Sequence, residues 1–95
     1  MPATHPFTGL VVIDFTHVLA GPACSHYLGL LGARVIKVES PHKGDAIRHR
    51  GGTDSESAAR GMSTSYLTQG SGKSSITLDL GTADGSATFH RLLAK

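Results

Sequence analysis

The run Leu10-Val11-Val12-Ile13-Asp14-Phe15 constrains the fold more than any other segment of this chain. It is almost continuously apolar and rich in β-branched residues, the pattern of a strand buried on both faces of a parallel sheet. A helix is expected next. Pro22 suits a first helical turn, where its missing N–H would have no partner anyway. Ala23, Cys24, Tyr27, Leu28, Leu30 and Leu31 then recur at helical spacing as one apolar face, and Gly32 is placed to end the helix in the left-handed conformation. Arg34-Val35-Ile36-Lys37-Val38-Glu39 alternates polar and apolar and reads as a second strand. Leu10–Glu39 is therefore a β-α-β unit, and the right-handed crossover rule makes its strands parallel.

The stretch from Ser40 to Ser74 has few apolar positions and reads as one long polar loop, with room for a helical turn or two over Ala58–Leu67. A compact domain keeps so long a connection only where it is functional or covered. Ser75–Leu80 alternates cleanly as a third strand. Thr82 or Asp84 can cap a final helix whose apolar face is Phe89, Leu92 and Leu93. The fold class is α/β: β-α-β, a long loop, then β-α. Strands this apolar need cover on both faces, and two helices do not supply it. Residues 1–95 are therefore expected to be the N-terminal part of a larger α/β domain, with the uncovered apolar face driving association with a second copy or a partner.

Composition removes several classes. Nine basic and seven acidic residues are interspersed at a net charge of +2, not gathered in the basic stripe of a nucleic-acid binder. Trp is absent and aromatics are 5%, so base-stacking platforms are not expected. No apolar run approaches the roughly 20 residues that span a bilayer. Met1–Thr8 lacks the basic and apolar regions of a secretory signal. A single cysteine, Cys24, excludes an internal disulfide framework and points to a reducing, cytoplasmic setting.

The loop Thr16–Pro22 holds most of the chemistry. Ligands of open parallel sheets bind beyond the carboxyl ends of the strands, against the next helix N-terminus, and small Ala20 and Gly21 allow close backbone approach. The same residues also suit a plain tight turn. Gly70-Ser71-Gly72-Lys73-Ser74 is not a P-loop: Leu67 stands where the first glycine belongs, and a strand follows instead of a helix. The six histidines show no metal-ligand spacing, so no metal is expected. Cys24 reads as a small buried helix residue, His26 as a helix-surface residue and Asp14 as a structural hydrogen-bonder. Asp45 and Arg48 suit a local ion pair or cap. Lys73 suits a solvated turn cation, and Arg48 and Lys73 each have a second open role, as contacts to a phosphate.

VVIDFTHVLAGPACSHYLGLLGARVIKVESPHKGDAIR followed by GKSSITLDL resembles the start of the class III coenzyme A transferases, a family that includes formyl-CoA transferase, carnitine CoA-transferases and α-methylacyl-CoA racemase. The specific pieces are Ala20-Gly21-Pro22, Gly32-Ala33 with Val35–Glu39, Gly44-Asp45 with Arg48, and Lys73 before Ile76–Leu80. The resemblance implies a Rossmann-like large domain, an interlaced homodimer, and transfer of CoA from an acyl-CoA to a carboxylic acid. It also implies an aspartate nucleophile that forms a mixed anhydride, beyond the stretch matched by this chain, so no catalytic residue is assigned. His17 matches a position near the reaction centre. Val18, Leu19 and Ala20 match the CoA-lining loop. Ser40 and the segment Leu78, Asp79, Leu80 and Gly81 match the nucleotide end. Leu19 replaces a glutamine of formyl-CoA transferase, and Ser40 and Gly81 replace basic residues of relatives. Each lost charge-assisted contact to a phosphate weakens binding by ~1.5–3 kcal/mol. The expected function is the CoA-binding N-terminal segment of such a transferase, catalytically incomplete alone. The alternatives are a non-catalytic remnant or interaction module, or part of an acyl-CoA racemase.

Overall fold

The computed structural model describes residues 4–50 and 54–95. Three parallel strands, β1 (Val11–Asp14), β2 (Arg34–Glu39) and β3 (Ser74–Thr77), form a sheet in the order β1-β2-β3. Val12 pairs with Val35 and Asp14 with Lys37. Lys37 also pairs with Ser75, and Val38 with Ile76. Helix α1 (Ala20–Leu30) makes the crossover between β1 and β2. Helix α4 (Ala83–Leu93) follows β3 and is capped by Thr82, whose hydroxyl accepts the Gly85 N–H at 3.0 Å. The α/β class and the parallel β-α-β unit stand as the residue pattern predicts.

Three expectations need correction. The segment from Ser40 to Ser74 is not one irregular loop. It holds a 3-10 turn (Ala46–His49) and two short helices, α2 (Ser55–Ala59) and α3 (Thr64–Gly70). Each has a side-chain N-cap, from Asp45, Asp54 and Ser63, and such caps replace the apolar periodicity that would announce a longer helix. The third strand ends at Thr77, so Leu78–Gly81 form the turn into α4; one further sheet-edge bond, Leu78 N–H to Glu39 C=O at 3.0 Å, precedes it.

The third correction concerns α1, which presents the opposite face from the one its apolar stripe suggests. Pro22 and Ser25 are buried, whereas Cys24 is exposed and Tyr27 and Leu30 are 64% and 60% exposed. The cause lies in the sheet. Side chains alternate between its faces, which puts Asp14, Lys37, Glu39 and Ser75, together with Val12 and Val35, on one side and Ile13, Ile36, Val38 and Ile76 on the other. The polar side lies under α1, α3 and the 3-10 turn, and a charged face calls for small and polar neighbours such as Ser25. On the apolar side, Phe15, which follows β1, packs edge-on against Phe89 of α4 with ring centroids 5.0 Å apart.

Gly85 shows how closely α4 is seated. A Cβ there would overlap the Asp79 carbonyl oxygen and lie 2.6 Å from its carbon. Alanine ordinarily stabilises a helix interior by about 1 kcal/mol over glycine. Here Gly85→Ala is expected to destabilise by about 1–3 kcal/mol, the usual range for overpacking. A urea midpoint that rises in the variant would refute this close approach.

Candidate functional site

The carboxyl ends of the strands open into a cavity of about 210 Å³ lined by Phe15, His17, Val38, Glu39, Ser40, Leu78, Asp79 and Leu80. Five residues singled out from the sequence meet here: His17, Ser40, Leu78, Asp79 and Leu80. Gly81 adjoins them, its N–H donating to Asp79 Oδ1 at 3.0 Å. Phe15, Val38 and Glu39 were not anticipated, although each ends or nearly ends a strand at this edge. A second, more open depression of about 300 Å³ shares Glu39 and Ser40 with the first and is ringed by His42, Lys43, Arg48, His49 and Arg60.

Val18, Leu19 and Ala20 stand beside the cavity, at the start of α1, without lining it. Leu19 is 61% exposed and provides no side-chain cap, so the first N–H groups of α1 are not covered by it. Val18 holds φ at +73°, which among the described residues other than glycine is seen at this position alone. A β-branched residue in that region costs about 1–3 kcal/mol and persists where its surroundings hold it. Here Asp45 Oδ1 accepts the Val18 N–H at 3.0 Å.

The floor beneath the site is built of buried ion pairs. Lys73 Nζ reaches Asp14 Oδ2 at 3.1 Å and the Pro22 carbonyl at 3.0 Å, and its side chain is 3% exposed. It is therefore neither a solvated turn cation nor turned toward the cavity: the β3 register returns it under α1. Arg48 donates to Glu39 Oε2 at 2.8 Å and Oε1 at 2.7 Å, and to the Tyr66 hydroxyl at 2.6 Å. Of the two roles open to Asp45, an ion pair with Arg48 or a cap, the structure shows the cap: Asp45 Oδ1 accepts the Ile47 N–H of the 3-10 turn, and its ion-pair partner is Lys37, with Nζ at 2.5 Å. Gly44, at φ +66°, makes the turn that brings the Asp45 N–H to Glu39 Oε2 at 2.7 Å.

These contacts set the carboxylates' charge. Burial raises the Asp14 carboxyl, but Ser25, Thr16 and Lys73 outweigh it and bring it down to about 2. Burial likewise opposes ionisation of Glu39, and the Arg48 guanidinium with the Asp45 N–H carries it down to about 2. Asp45 is lowered too, its burial overcome by Lys37 and the N–H groups of Ile47 and Val18. All three are anions held by fixed donors, which suits structural roles better than nucleophilic attack. His17 stands 3.9 Å from Asp45 Oδ1 with its ring half exposed. His26 lies 3.3 Å from the Ser71 carbonyl. Among the described residues no helix is long and apolar enough to cross a membrane, and no group of three or more His, Cys, Asp or Glu is placed to hold a metal.

The sequence profile of CoA-transferase family III matches residues 7–95. The chain is 43% identical over 91 residues to the succinyl-CoA–L-malate CoA-transferase beta subunit of Chloroflexus aurantiacus, covering 96% of this chain and 22% of that protein. It is 37% identical over 89 residues to formyl-CoA:oxalate CoA-transferase of Escherichia coli, covering 93% and 20%. Among solved structures, a CAIB/BAIF family protein from Brucella suis superposes with a TM-score of 0.80 at 36% identity, covering 97% of this chain and 24% of that one. A hypothetical protein from Mycobacterium tuberculosis gives 0.78 at 38%, covering 97% and 23%. The chain thus spans about a fifth of the length of the curated relatives it matches.

Proposed function

Because the chain belongs to CoA-transferase family III, we propose that it is the CoA-binding N-terminal segment of an enzyme that moves CoA from an acyl-CoA to a carboxylic acid. The observation that carries this reading is the cavity at the strand ends, which gathers His17, Ser40 and Leu78–Leu80 beside the first turn of α1. The nucleotide lies against Ser40 and Leu78–Gly81. The pantetheine arm runs past Val18, Leu19 and Ala20 toward His17. Arg48 and Lys73 act from beneath, by holding Glu39 and Asp14. The cations that face the phosphates are then those around the neighbouring depression, Lys43 and Arg60 foremost. The anionic carboxylates of the floor are committed to internal pairs, which supports a catalytic nucleophile elsewhere in the full enzyme. The exposed outer face of α1, with Leu19, Tyr27, Leu30 and Leu31, is covered by the rest of that enzyme or by a second copy.

Titration of CoA into the chain, followed by amide shifts, tests the reading. Shifts are expected at Ser40 and Leu78–Gly81, with weak affinity that falls as salt rises, since exposed pairs are screened within ~8–10 Å. Ala20→Leu is expected to weaken binding at least tenfold by obstructing the loop. Equal binding by both chains, or shifts confined to α4, would mean that the site lies elsewhere. The chain alone is expected to give no thioester exchange.

A further inference from the structure

We propose that Asp45 is a positioning residue that fixes the backbone of the first loop, Thr16–Leu19, in the shape the site requires. The functional consequence rests on the CoA reading above; the conformational role does not. Val18 carries a positive φ, and its N–H is held by Asp45 Oδ1. The two residues lie 27 positions apart, so nothing local to the loop supplies this acceptor. The carboxylate is itself immobilised. It is fully buried, Lys37 Nζ holds Oδ2, the Ile47 N–H donates to Oδ1 at 3.0 Å, and its own N–H is held by Glu39. A continuous chain of contacts therefore runs from the central strand through Lys37 and Asp45 to Val18.

A β-branched residue released from this acceptor relaxes toward negative φ. That change would rotate the peptide between Val18 and Leu19 and move the start of α1. His17 would move with it, because it precedes Val18 and borders both the cavity and the same carboxylate. Asp45 thus acts on the ligand through the loop and does not line the strand-end cavity.

The test removes the acceptor without leaving a buried charge unpaired. In Lys37→Met/Asp45→Ala, the Val18 amide is expected to exchange with solvent at least tenfold faster relative to the β2 amides, and CoA affinity is expected to fall about tenfold. Lys37→Met/Asp45→Asn keeps a side-chain oxygen for the Val18 N–H and is expected to restore both. Unchanged Val18 exchange in the alanine double variant, or no restoration by asparagine, overturns the proposal. If the double variants do not fold, Val18→Gly and Val18→Ala decide. Glycine adopts the positive φ without strain, so Val18→Gly is expected to have the higher urea midpoint, and the reverse order refutes a held Val18. If the unaltered chain binds no CoA, the CoA reading fails, and the exchange result still decides the role of Asp45.

Discussion

Glu39→Ala is expected to lower the unfolding free energy by about 3–5 kcal/mol, the usual cost of removing one partner of a buried ion pair. Glu39 is 2% exposed at the end of the central strand. Besides Arg48 and the Asp45 N–H, it accepts from the Tyr66 hydroxyl at 3.1 Å and from Ser75 Oγ at 3.3 Å. Arg48 lies over the Tyr66 ring, with Cζ 4.0 Å from its centroid. Without the carboxylate, the guanidinium keeps its burial and loses its counter-charge, and α3 loses its tether to β2. Proteins of this size hold only about 5–15 kcal/mol in total, so the variant sits near its unfolding threshold. Exchanging both partners for apolar residues, Glu39→Leu with Arg48→Met, leaves no orphaned charge and is expected to recover most of the loss. Urea midpoints of the three chains check this. A loss below about 1 kcal/mol in Glu39→Ala would show that the pair is solvent-relaxed and does not hold α3.

Such pairs are what the residue order conceals. The β-α-β unit was legible because β-branched runs and helical spacing repeat at fixed intervals, and the final helix because Thr82 precedes it with a capping hydroxyl. Ion pairs repeat at no interval. Asp14 meets Lys73 across 59 positions, and local reading left Lys73 as a turn cation or a phosphate contact. Lys37 and Glu39 appeared as the polar half of an alternating strand; both are buried, because the helices cover that side and bring Asp45 and Arg48 with them. The apolar stripe of α1 faces away from the sheet, and periodicity alone does not say whether a stripe faces its own sheet or something outside it. The cavity's strand-end residues were accessible from topology, since parallel strands bring their following loops to one edge. The positive φ of Val18 was not, because it depends on an acceptor from another loop.

The same buried carboxylates predict a steep loss of stability in acid. Asp14 and Glu39 ionise at about 2 in the folded chain, against ordinary values of 3.8 and 4.5. Their folded pKa values are depressed, so the stability they contribute is fully present above the unfolded values and disappears as pH falls through the folded ones. At 1.36 kcal/mol per pKa unit, Asp14 contributes about 2.5 and Glu39 about 3.5 kcal/mol, and Asp45, also lowered, adds in the same direction. Urea midpoints are therefore expected to hold steady from pH 7 to about 5.5 and to fall between about pH 5 and 2. Asp14→Asn separates this from a general effect of positive charge at low pH. The variant cannot form the Lys73 ion pair, so it starts below the unaltered chain at pH 7 and converges with it near pH 2. Parallel pH curves for the two chains would place the acid transition on other groups and would count against a charged Asp14–Lys73 pair beneath α1.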